Sequence, residues 1–449
     1  MVNHVKVYLH ICMTSASDIM IGIIYDILAL SKRSGGGDQI AAITLESLRQ
    51  LDDVLIIPTF DRLFNEERKE ICQELNKLEN TYIIPNTIKN FCKNDTINNI
   101  NALVTDLARE LRSLHPKLLF DPYPYVYLKK PPLKISEYLE GFKLLIRNEL
   151  CSNELLFFPA WCLSKKSGIP LVILWQHGTR SWRCIPRILA KMIMLGMPES
   201  YLIPLFRRIT DMMVDSFRRD FVRLILSVGE GPINLLGLSK WKKVKILNPG
   251  VVIDMPGEIG KSRNDKEDYF IYLSRMEPAK GLFDIIYIMR ALRKVGISPN
   301  FVLVGRFKKL EIEKKFRKIA EKAGVLDKIT LTGFVTNEVK FDLLSKAKAM
   351  VFPTHVDNFP LVILESLAVG TPVVTYNIPG PRDAYRGIDG VHFVKEFDFE
   401  AVANTIKKII KDPNSESHYY SEKTKEFLRA HTNKELFRQN FQKYILEIL

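Results

Sequence analysis

Residues 349–376 read AMVFPTHVDNFPLVILESLAVGTPVVTY, and this stretch decides the fold. Two short apolar runs, AMVFPT (349–354) and PVVTY (372–376), flank a segment that begins near Pro360 and ends at Gly370. Proline is well tolerated in the first turn of a helix, and glycine is common just after the last turn. The stretch therefore predicts strand, loop, helix and strand, the repeating unit of a parallel sheet covered by helices.

The same alternation of short apolar runs and helical patterns extends along the whole chain. Strands are predicted at 5–11, 54–59, 117–121, 155–159, 170–175, 224–228 and 244–248, and then at 269–274, 300–305, 328–333, 349–354, 372–376 and 391–394. Between the two series, residues 252–269 are polar and charged and contain Gly and Pro, as is typical of a linker. We therefore expect an α/β protein with two doubly wound domains of similar size. The expected boundaries are 1–252 for the first domain, 253–268 for the linker, 269–430 for the second domain and 431–449 for a terminal helix.

The charge and the cysteines limit the classes of protein. The 449 residues carry a formal net charge of +14, which favours an anionic partner such as a phosphorylated substrate, an anionic lipid or a nucleic acid, or else reflects lysines that only solvate the surface. The basic residues are spread through both halves without a recognised nucleic-acid motif, so we expect no nucleic-acid partner. All six cysteines lie in the first half, without a C-x-x-C pair or a histidine at zinc spacing. We expect neither a metal site nor a disulfide framework.

The location of the protein is also suggested by the sequence. The first residues, MVNHVKVYLHICM (1–13), alternate like a first strand and do not resemble a signal peptide. No apolar run of about 18 residues predicts a spanning helix, so we expect a cytoplasmic protein. Residues 180–226 are basic and rich in Met, Ile, Leu and Phe. They fit either amphipathic helices on the cytoplasmic face of an anionic membrane or core-facing helices with solvated arginines.

In doubly wound domains, ligands bind beside the carboxyl ends of the strands, so the loops there are the candidate site. Arg275 and Lys280 follow the predicted strand 269–274 and precede a helix. Two cations beside a helix N-terminus suit a diphosphate, and the alternative is a solvated helix start. Gly305 ends the next strand, and Phe334, just after the strand that follows, offers an apolar wall.

The two carboxylates of the opening stretch complete this candidate site. Asp357 falls in the predicted loop and Glu365 on the predicted helix, and both are expected to face one cleft. A buried carboxylate needs hydrogen-bond partners, and the vicinal hydroxyls of a sugar or a ribose supply them. With Arg275 and Lys280 between them to hold phosphates, the arrangement predicts a nucleotide-sugar site.

In this order along the chain, YLSRMEPAKG, LVG, TGFV and VFPTHVDNFPLVILESLAVGTPVVTYNIPGPRD resemble the donor-binding domain of family 4 glycosyltransferases, the glycosyl transferases of group 1. The resemblance covers about residues 265–415. It implies the GT-B fold, in which an acceptor-binding and a donor-binding Rossmann-like domain face each other across a cleft and a terminal helix crosses back to the first. It also implies a hexosyltransferase that moves a hexose, with retention, from a nucleoside-diphosphate sugar to a hydroxyl of a glycan or lipid-linked acceptor, without a metal or other cofactor.

Together with the loops, the resemblance assigns the donor site to Arg275, Lys280, Gly305, Phe334, Asp357, Asn358, Phe359, Pro360, Leu361 and Glu365. Arg275 and Lys280 match the ligands of the donor diphosphate, Glu365 matches the ribose ligand, and Asp357 matches the acidic residue near the transferred sugar. Residues 359–361 match the loop that reaches sugar and phosphate through its backbone. The family usually has glutamate in place of Asp357, and many members have glycine in place of Pro360.

The first half carries fewer signals. The strand in PLVILWQHGTRSW resembles the family strand that ends in His-Gly, so His177 is expected to contact the donor sugar or the reacting centre, unless it is an ordinary loop histidine. Family members often have a Gly-Gly loop after the first strand; here that place reads MTSASDIMIG (13–22), where Ser15, Ser17 and Gly22 are candidates. The stretch SGGGD (34–38) follows a helical pattern and is interpreted as a helix stop.

Two further interpretations remain. EFDFE (396–400) has the spacing of a metal-binding Asp-x-Asp, but its place before AVANTIKKII predicts a helix cap at Asp398. The chain is expected to be a transferase in which Arg275, Lys280, His177 and Asp357 serve catalysis. The alternative is a catalytically inactive GT-B protein that binds a nucleotide sugar or acts as a scaffold subunit in glycan assembly.

Overall fold

The computed structural model describes residues 20–25, 36–58, 81–83, 97–121, 159–176, 221–255, 266–298, 300–411 and 421–449. Within these ranges the chain forms two parallel sheets, each accompanied by helices. The prediction of two doubly wound Rossmann-like domains is confirmed.

The first sheet contains seven parallel strands in the order β3-β2-β1-β4-β5-β6-β7. Its strands are β1 (Met20–Tyr25), β2 (Asp53–Pro58), β3 (Thr81–Ile83), β4 (Leu118–Asp121), β5 (Leu171–Trp175), β6 (Val222–Ser227) and β7 (Val244–Ile246). The helices described with it are α1 (Gly36–Arg49), α2 (Ile97–Leu114), α3 (Pro159–Ser167) and α4 (Glu230–Leu236). Strands β4 and β5 are buried along their whole length, which explains their continuous apolar sequences.

The second sheet contains six parallel strands in the order β10-β9-β8-β11-β12-β13. Its strands are β8 (Phe270–Leu273), β9 (Phe301–Val304), β10 (Ile329–Gly333), β11 (Met350–Phe352), β12 (Val373–Tyr376) and β13 (Val391–Val394). Its helices are α5 (Asp284–Lys294), α6 (Leu310–Lys322), α7 (Asn337–Lys346), α8 (Leu361–Ala368), α9 (Pro379–Ala384), α10 (Phe399–Lys411) and α11 (Glu422–Ala430). All six strands overlap their predicted positions.

The last helix, α12 (Lys434–Leu446), contacts the first sheet and its helix α1. Phe441 packs edge-on against Phe120 of β4, with the ring centroids 5.2 Å apart. Gln442 donates a hydrogen bond of 2.8 Å to the carbonyl oxygen of Ser47 in α1. The end of the chain therefore buries its apolar face on the first sheet.

The first half differs from prediction in several places. The strand predicted at 5–11 lies outside the described residues. Strand β1 lies inside the sheet, between β2 and β4, and pairs with both. Gly22 lies inside β1, so its assignment to a phosphate loop is wrong. An added Cβ there would meet the Leu119 side chain at 2.7 Å, so the glycine serves close strand packing.

Other predictions for the first half are only partly covered. Of the strand predicted at 155–159, only Pro159 is described, and it begins α3. Strand β3 has no predicted counterpart. Of the segment 180–226, the structure describes 221–226, which belong to the β6 region.

Candidate functional site

The candidate site lies where the strand order of the second sheet reverses. Strands β8 and β11 are neighbours, and the chain leads from β8 to one side and from β11 to the other. Ligands of doubly wound sheets bind at this switch point, beside the carboxyl ends of the strands. The loop after β8 carries Lys280 and the loop after β11 carries Asp357, and Lys280 Nζ lies 2.7 Å from Asp357 Oδ2.

A glycine allows these two loops to touch. Gly281 has φ +74°, and an added Cβ would overlap the carbonyl oxygen of Pro353. Glycine adopts this left-handed conformation without a steric penalty. The loops are also joined through the backbone, because the N–H of His355 donates to the carbonyl oxygen of Ala279 at 2.9 Å. Lys280 and Asp357 are thus held by their main chains as well as by their charges.

The ammonium group of Lys280 makes two hydrogen bonds within the protein. It donates to Asp357 Oδ2 and, at 2.9 Å, to the carbonyl oxygen of Val356. An ammonium group has three N–H donors, so one is available to a ligand. Asp357 is fixed in turn by the N–H of Asn358, which donates to its Oδ1 at 3.1 Å. The pair presents an oriented cation at the switch point.

Arg275 lies beside this pair at the end of β8. Its side chain is 73 % exposed, and one guanidinium nitrogen lies 3.4 Å from Glu277 Oε1. The other carboxylate oxygen of Glu277 lies 2.8 Å from Lys308 Nζ. Glu277 is itself buried, so it anchors two cations at the rim of the site and leaves most of the Arg275 guanidinium open to an anion.

Gly305 and Phe334 line the adjoining strand ends. The N–H of Gly305 donates to the carbonyl oxygen of Gly333 at 2.9 Å, so it is already used by the protein. The ring of Phe334 is 51 % exposed, and the guanidinium carbon of Arg306 lies 5.3 Å from its centroid. About half of the Phe334 side chain therefore remains open beside this cation–π contact.

Glu365 is in a different environment from Asp357. It lies on α8 with only 9 % of its side chain exposed, and its Oε1 is 2.6 Å from Nζ of Lys340 on α7. Burial raises the pKa of Glu365, and the charge of Lys340 and its hydrogen bond work against that rise. The carboxylate therefore depends on Lys340 for its charge.

The loop residues 359–361 connect the two carboxylates. The Phe359 ring packs between Tyr385 and His431, at centroid distances of 5.3 and 5.4 Å. The carbonyl oxygen of Pro360 accepts a hydrogen bond of 2.8 Å from the Tyr385 hydroxyl. Helix α8 begins at Leu361, one residue after the predicted start. These contacts fix the entry of the chain into α8 and so the position of Glu365.

Asn358 connects the second domain to the first. Its Nδ2 donates to the carbonyl oxygen of Gln176 at 2.7 Å, across 182 positions of sequence. Gln176 directly follows β5 and precedes His177, which lies outside the described residues. The carboxyl ends of β5 and β11 therefore face each other. Asn358 is 7 % exposed, and its Oδ1 is buried without a hydrogen-bond partner.

The stretch SGGGD (34–38) has the opposite role to the predicted one. Helix α1 begins at Gly36 and follows β1, so the glycines start a helix and do not end one. Strand, glycines and helix is the order found in phosphate-binding loops. The error arises because the strand at 20–25 is not predicted, so the residues before Ser34 are interpreted as a loop followed by a helical pattern.

Asp398 caps a helix, as predicted. Its Oδ1 accepts a hydrogen bond of 2.9 Å from the N–H of Ala401, in the first turn of α10. The neighbouring Glu396 contacts His355 instead. Among the described residues, no group of three or more His, Cys, Asp or Glu side chains is arranged to hold a metal ion.

Four side chains of this region are absent from the predicted site: Glu277, Arg306, Lys340 and His355. Glu277 stands between the two predicted cations, and Arg306 and His355 stand in loops that follow strands, so their positions were a usable signal. Lys340 lies inside α7 and pairs with a residue on another helix, which no local pattern reveals.

Together, the two facing Rossmann-like domains and the basic switch point define a GT-B fold. Comparison of structures agrees: a protein of Anabaena (Alr3699/HepE), solved in complex with UDP-glucose, has a TM-score of 0.62 over 96 % of this chain and 100 % of its own, at 13 % identity. At that identity the likeness establishes the fold alone.

The sequence comparisons identify the family of the second domain. Residues 258–427 match the profile of the family described as glycosyl transferases group 1. Glycogen synthase of Mycobacterium tuberculosis is 31 % identical over 146 residues, which are 32 % of this chain and 34 % of that protein. A D-inositol 3-phosphate glycosyltransferase of Frankia alni is 26 % identical over 208 residues, which are 43 % of this chain and 51 % of that protein. The resemblance inferred from the motifs is thus confirmed.

These matches span about a third to a half of the relatives' own length. The family profile covers the domain that carries Lys280 and Asp357, and the likeness of the whole chain to known proteins is one of fold. Within the part of the chain that the structure describes, no helix is long and apolar enough to cross a membrane.

Proposed function

We propose that this protein is a glycosyltransferase that moves a sugar from a nucleoside-diphosphate sugar to an acceptor hydroxyl. One observation carries the proposal: the loops after β8 and β11 meet at the switch point and present an oriented ammonium group beside a carboxylate, Lys280 Nζ to Asp357 Oδ2 at 2.7 Å. A solved structural neighbour contains UDP-glucose, and the relatives are glycosyltransferases, which supports this substrate class.

In the proposed reaction, the bond between the anomeric carbon and the oxygen of the donor diphosphate breaks, and a bond to the acceptor oxygen forms. The acceptor proton passes to the leaving diphosphate. Lys280 and Arg275 stabilise the negative charge that grows on this leaving group, which is usually the largest contribution to such catalysis. Asp357 orients Lys280 and faces the sugar, and Glu365 binds the ribose.

Other groups are placed by the same proposal. The exposed ring of Phe334 provides a surface for the nucleobase, and the backbone of residues 359–361 contacts the sugar and the phosphates. Gly36, at the start of α1, is expected near the diphosphate, because helix N-termini attract anions. His177 is expected across the cleft, since Asn358 ties the loop after β11 to the residue before it.

The finer assignments are part of the proposal. We propose a hexose donor, retention of anomeric configuration and transfer without a metal ion, with a glycan or a lipid-linked saccharide as acceptor. Donor hydrolysis and transfer measured with UDP-, GDP-, ADP- and dTDP-sugars, with and without EDTA, test the first and third points. The anomeric configuration of the product, read by NMR, tests the second.

The central experiment is Lys280→Ala. It should lower turnover about a hundredfold or more, roughly the effect of losing one good electrostatic donor in a transition state. Lys294→Ala is the matched control, because this lysine is exposed, lies at the end of α5 and pairs with Glu400 of α10 instead of a residue of the candidate site. Unchanged turnover in Lys280→Ala, with the wild-type protein active, would remove Lys280 from the mechanism.

A second candidate function is a catalytically inactive GT-B protein that binds a nucleotide sugar or acts as a scaffold in glycan assembly. One observation favours it: both carboxylates of the motif are already ion-paired, with Lys280 and Lys340. Binding of a nucleotide sugar without hydrolysis or transfer, across a panel of saccharide acceptors, would select this function.

The location is likewise a proposal. We expect the protein in the cytoplasm, in contact with the cytoplasmic face of the membrane through residues 180–226. Co-sedimentation with vesicles of phosphatidylglycerol and phosphatidylcholine tests this contact, which should weaken as salt is raised. Equal sedimentation with purely zwitterionic vesicles would contradict an electrostatic contact.

A further inference from the structure

A buried charged cluster lies directly beneath the loop that carries Asp357. The imidazole of His355 is fully buried, with Nδ1 at 2.6 Å from Glu396 Oε1 and Nε2 at 3.1 Å from Asp284 Oδ2. Asp284 is also fully buried, and its Oδ2 accepts a hydrogen bond of 2.6 Å from the Tyr376 hydroxyl. Nothing in the proposed reaction uses this cluster.

The arrangement requires a charged imidazole. A neutral imidazole has one N–H, so it can donate to only one of the two carboxylates, and the lone pair on its other nitrogen would face the second. An imidazolium presents N–H groups to both. The Nε2–Asp284 contact is close but poorly aligned for a hydrogen bond, so its contribution is mainly ionic. The fully buried Asp284 carboxylate, beside the partly buried Glu396, would be strongly destabilising without a cation.

The balance of burial and charge at His355 agrees with this geometry. Burial by itself lowers the pKa of His355, but the charges of Asp284 and Glu396 and the hydrogen bond with Glu396 outweigh it, and the pKa is raised. The charged or titratable groups that face the imidazole are Asp284 on α5, Glu396 after β13 and Tyr376 on β12, whose ring centroid is 5.4 Å away. Phe397 stacks on the remaining face, at 4.6 Å.

The cluster holds the same backbone that forms the donor site. The backbone N–H of His355 donates a hydrogen bond to the carbonyl oxygen of Ala279, the residue before Lys280. The carbonyl oxygen of Val356, the residue after His355, accepts a hydrogen bond from Lys280 Nζ. Asp284 begins α5 four positions after Lys280. The imidazolium therefore ties the loop after β8 and the loop after β11 to each other from below.

We propose that His355, as an imidazolium, is a positioning residue that keeps Lys280 and Asp357 in place for binding a nucleoside diphosphate. This inference rests on the proposed function. Since the folded-state pKa of His355 lies above its unfolded value, the contribution is complete below about pH 6.5 and is lost as the pH rises through the folded-state pKa. Binding should weaken on the alkaline side.

The experiment compares wild type with Glu396→Gln, His355→Gln and the control His392→Gln. His392 is a partly buried histidine of β13, outside the cluster. Dissociation constants for UDP, GDP, ADP and dTDP are measured by calorimetry between about pH 5.5 and pH 9. Wild type and control should lose affinity at least tenfold on the alkaline side. Glu396→Gln should move that loss to lower pH by about one unit, because one carboxylate partner is gone.

His355→Gln should bind weakly at every pH and without the alkaline loss. Circular dichroism and thermal unfolding show whether this variant folds, and Glu396→Gln carries the test if it does not. A simple structural role would lower affinity equally at all pH values. The inference is overturned if Glu396→Gln and wild type lose affinity at the same pH, or if His355→Gln keeps the alkaline loss.

Failure of the proposed function is distinguishable from failure of this inference. If wild type binds none of the four nucleotides at any pH, the proposed function fails. The inference about His355 is then tested on the backbone of the loop after β11. Hydrogen exchange of the amides of 355–357 is followed against pH, with the imidazole of His355 titrated by NMR. Protection that falls as His355 titrates supports the inference, and protection that is independent of that titration overturns it.

Discussion

The ion pair between Lys340 and Glu365 yields a quantitative prediction for Lys340→Met. The two side chains are 14 % and 9 % exposed, and their charged atoms lie 2.6 Å apart. At an effective dielectric constant of about 20, the attraction at this distance is about 6 kcal/mol, most of which offsets the cost of burying the charges. Removing one partner leaves the other charge buried and typically costs about 3–5 kcal/mol. We expect a loss of about 3 kcal/mol at pH 7, the lower end, because Lys340 retains some contact with solvent.

The pH dependence identifies the cause. Burial raises the pKa of Glu365, and Lys340 opposes that rise, so without Lys340 the pKa should rise further. With the folded-state value above the unfolded one, the variant should regain stability as the pH falls towards about 4.5, where Glu365 becomes neutral. The loss in free energy of unfolding, relative to wild type, should thus be large at pH 7 and small near pH 4.5.

Urea denaturation followed by tryptophan fluorescence and circular dichroism measures the effect, with the midpoint as the primary observable. The double variant Lys340→Met with Glu365→Leu is the matched control, because it removes both charges and should recover most of the loss. The reasoning would be refuted by a Lys340→Met midpoint equal to wild type at pH 7, or by a deficit that is the same at both pH values. It would also fail if the double variant were no more stable than the single one.

Three further predictions concern single contacts. Asn358→Ala removes the hydrogen bond to Gln176 between the domains, worth about 1 kcal/mol, so kcat/KM for transfer should fall about fivefold; an unchanged value would contradict a coupling role. Asp398→Ala removes the cap that accepts from Ala401 and should cost about 1 kcal/mol in thermal unfolding, with turnover at 25 °C unchanged. Burial lowers the pKa of His431 to about 4, so stability should fall by roughly 1 kcal/mol per pH unit below about pH 6.5, and His431→Gln should lose this acid sensitivity in urea denaturation.

The second sheet was predictable because its strands are short apolar runs that end at glycine, proline or a polar residue. Each of YFIYLS, NFVLVG and KITLTG ends at a polar or glycine residue, and the structure places β8, β9 and β10 inside them. Parallel strands buried on both faces, such as β8, are continuously apolar, so their length and their end signals identify them. The partly exposed β10 contains two threonines and was identified by its end signal, Gly333. The boundaries differ from prediction by one or two residues.

The first strand was not predictable by the same rule. The run IMIGIIYDILAL (19–30) is apolar and long enough to fit a helix or a strand, whereas MVNHVKVYLHI alternates as a strand should. The structure forms β1 at Met20–Tyr25. When the strand at 20–25 is missed, the helical pattern before Ser34 makes the glycines of SGGGD a helix stop, so the two errors have one cause. Pairing with β2 and β4, which are distant in sequence, decides the matter.

For the site, residue types were predictable and most partners were not. The meeting of Lys280 and Asp357 follows from the switch-point rule, although they are 77 positions apart. The contacts of Glu365 with Lys340 and of His355 with Glu396 join different elements over 25 and 41 positions. Their geometry is set by helix packing and by the loop after β13, which carry no periodic signal.

The two carboxylates of the opening stretch are therefore not equivalent. Asp357 pairs with Lys280, the group that we expect to meet the diphosphate, and accepts a hydrogen bond from a backbone N–H. Glu365 holds its charge through Lys340 alone, against the effect of burial. Binding a diphosphate draws on the same ammonium group that Asp357 neutralises, whereas binding a ribose hydroxyl adds a neutral donor to Glu365. Asp357 is thus coupled to the charge of the leaving diphosphate, and Glu365 to recognition of the ribose hydroxyl.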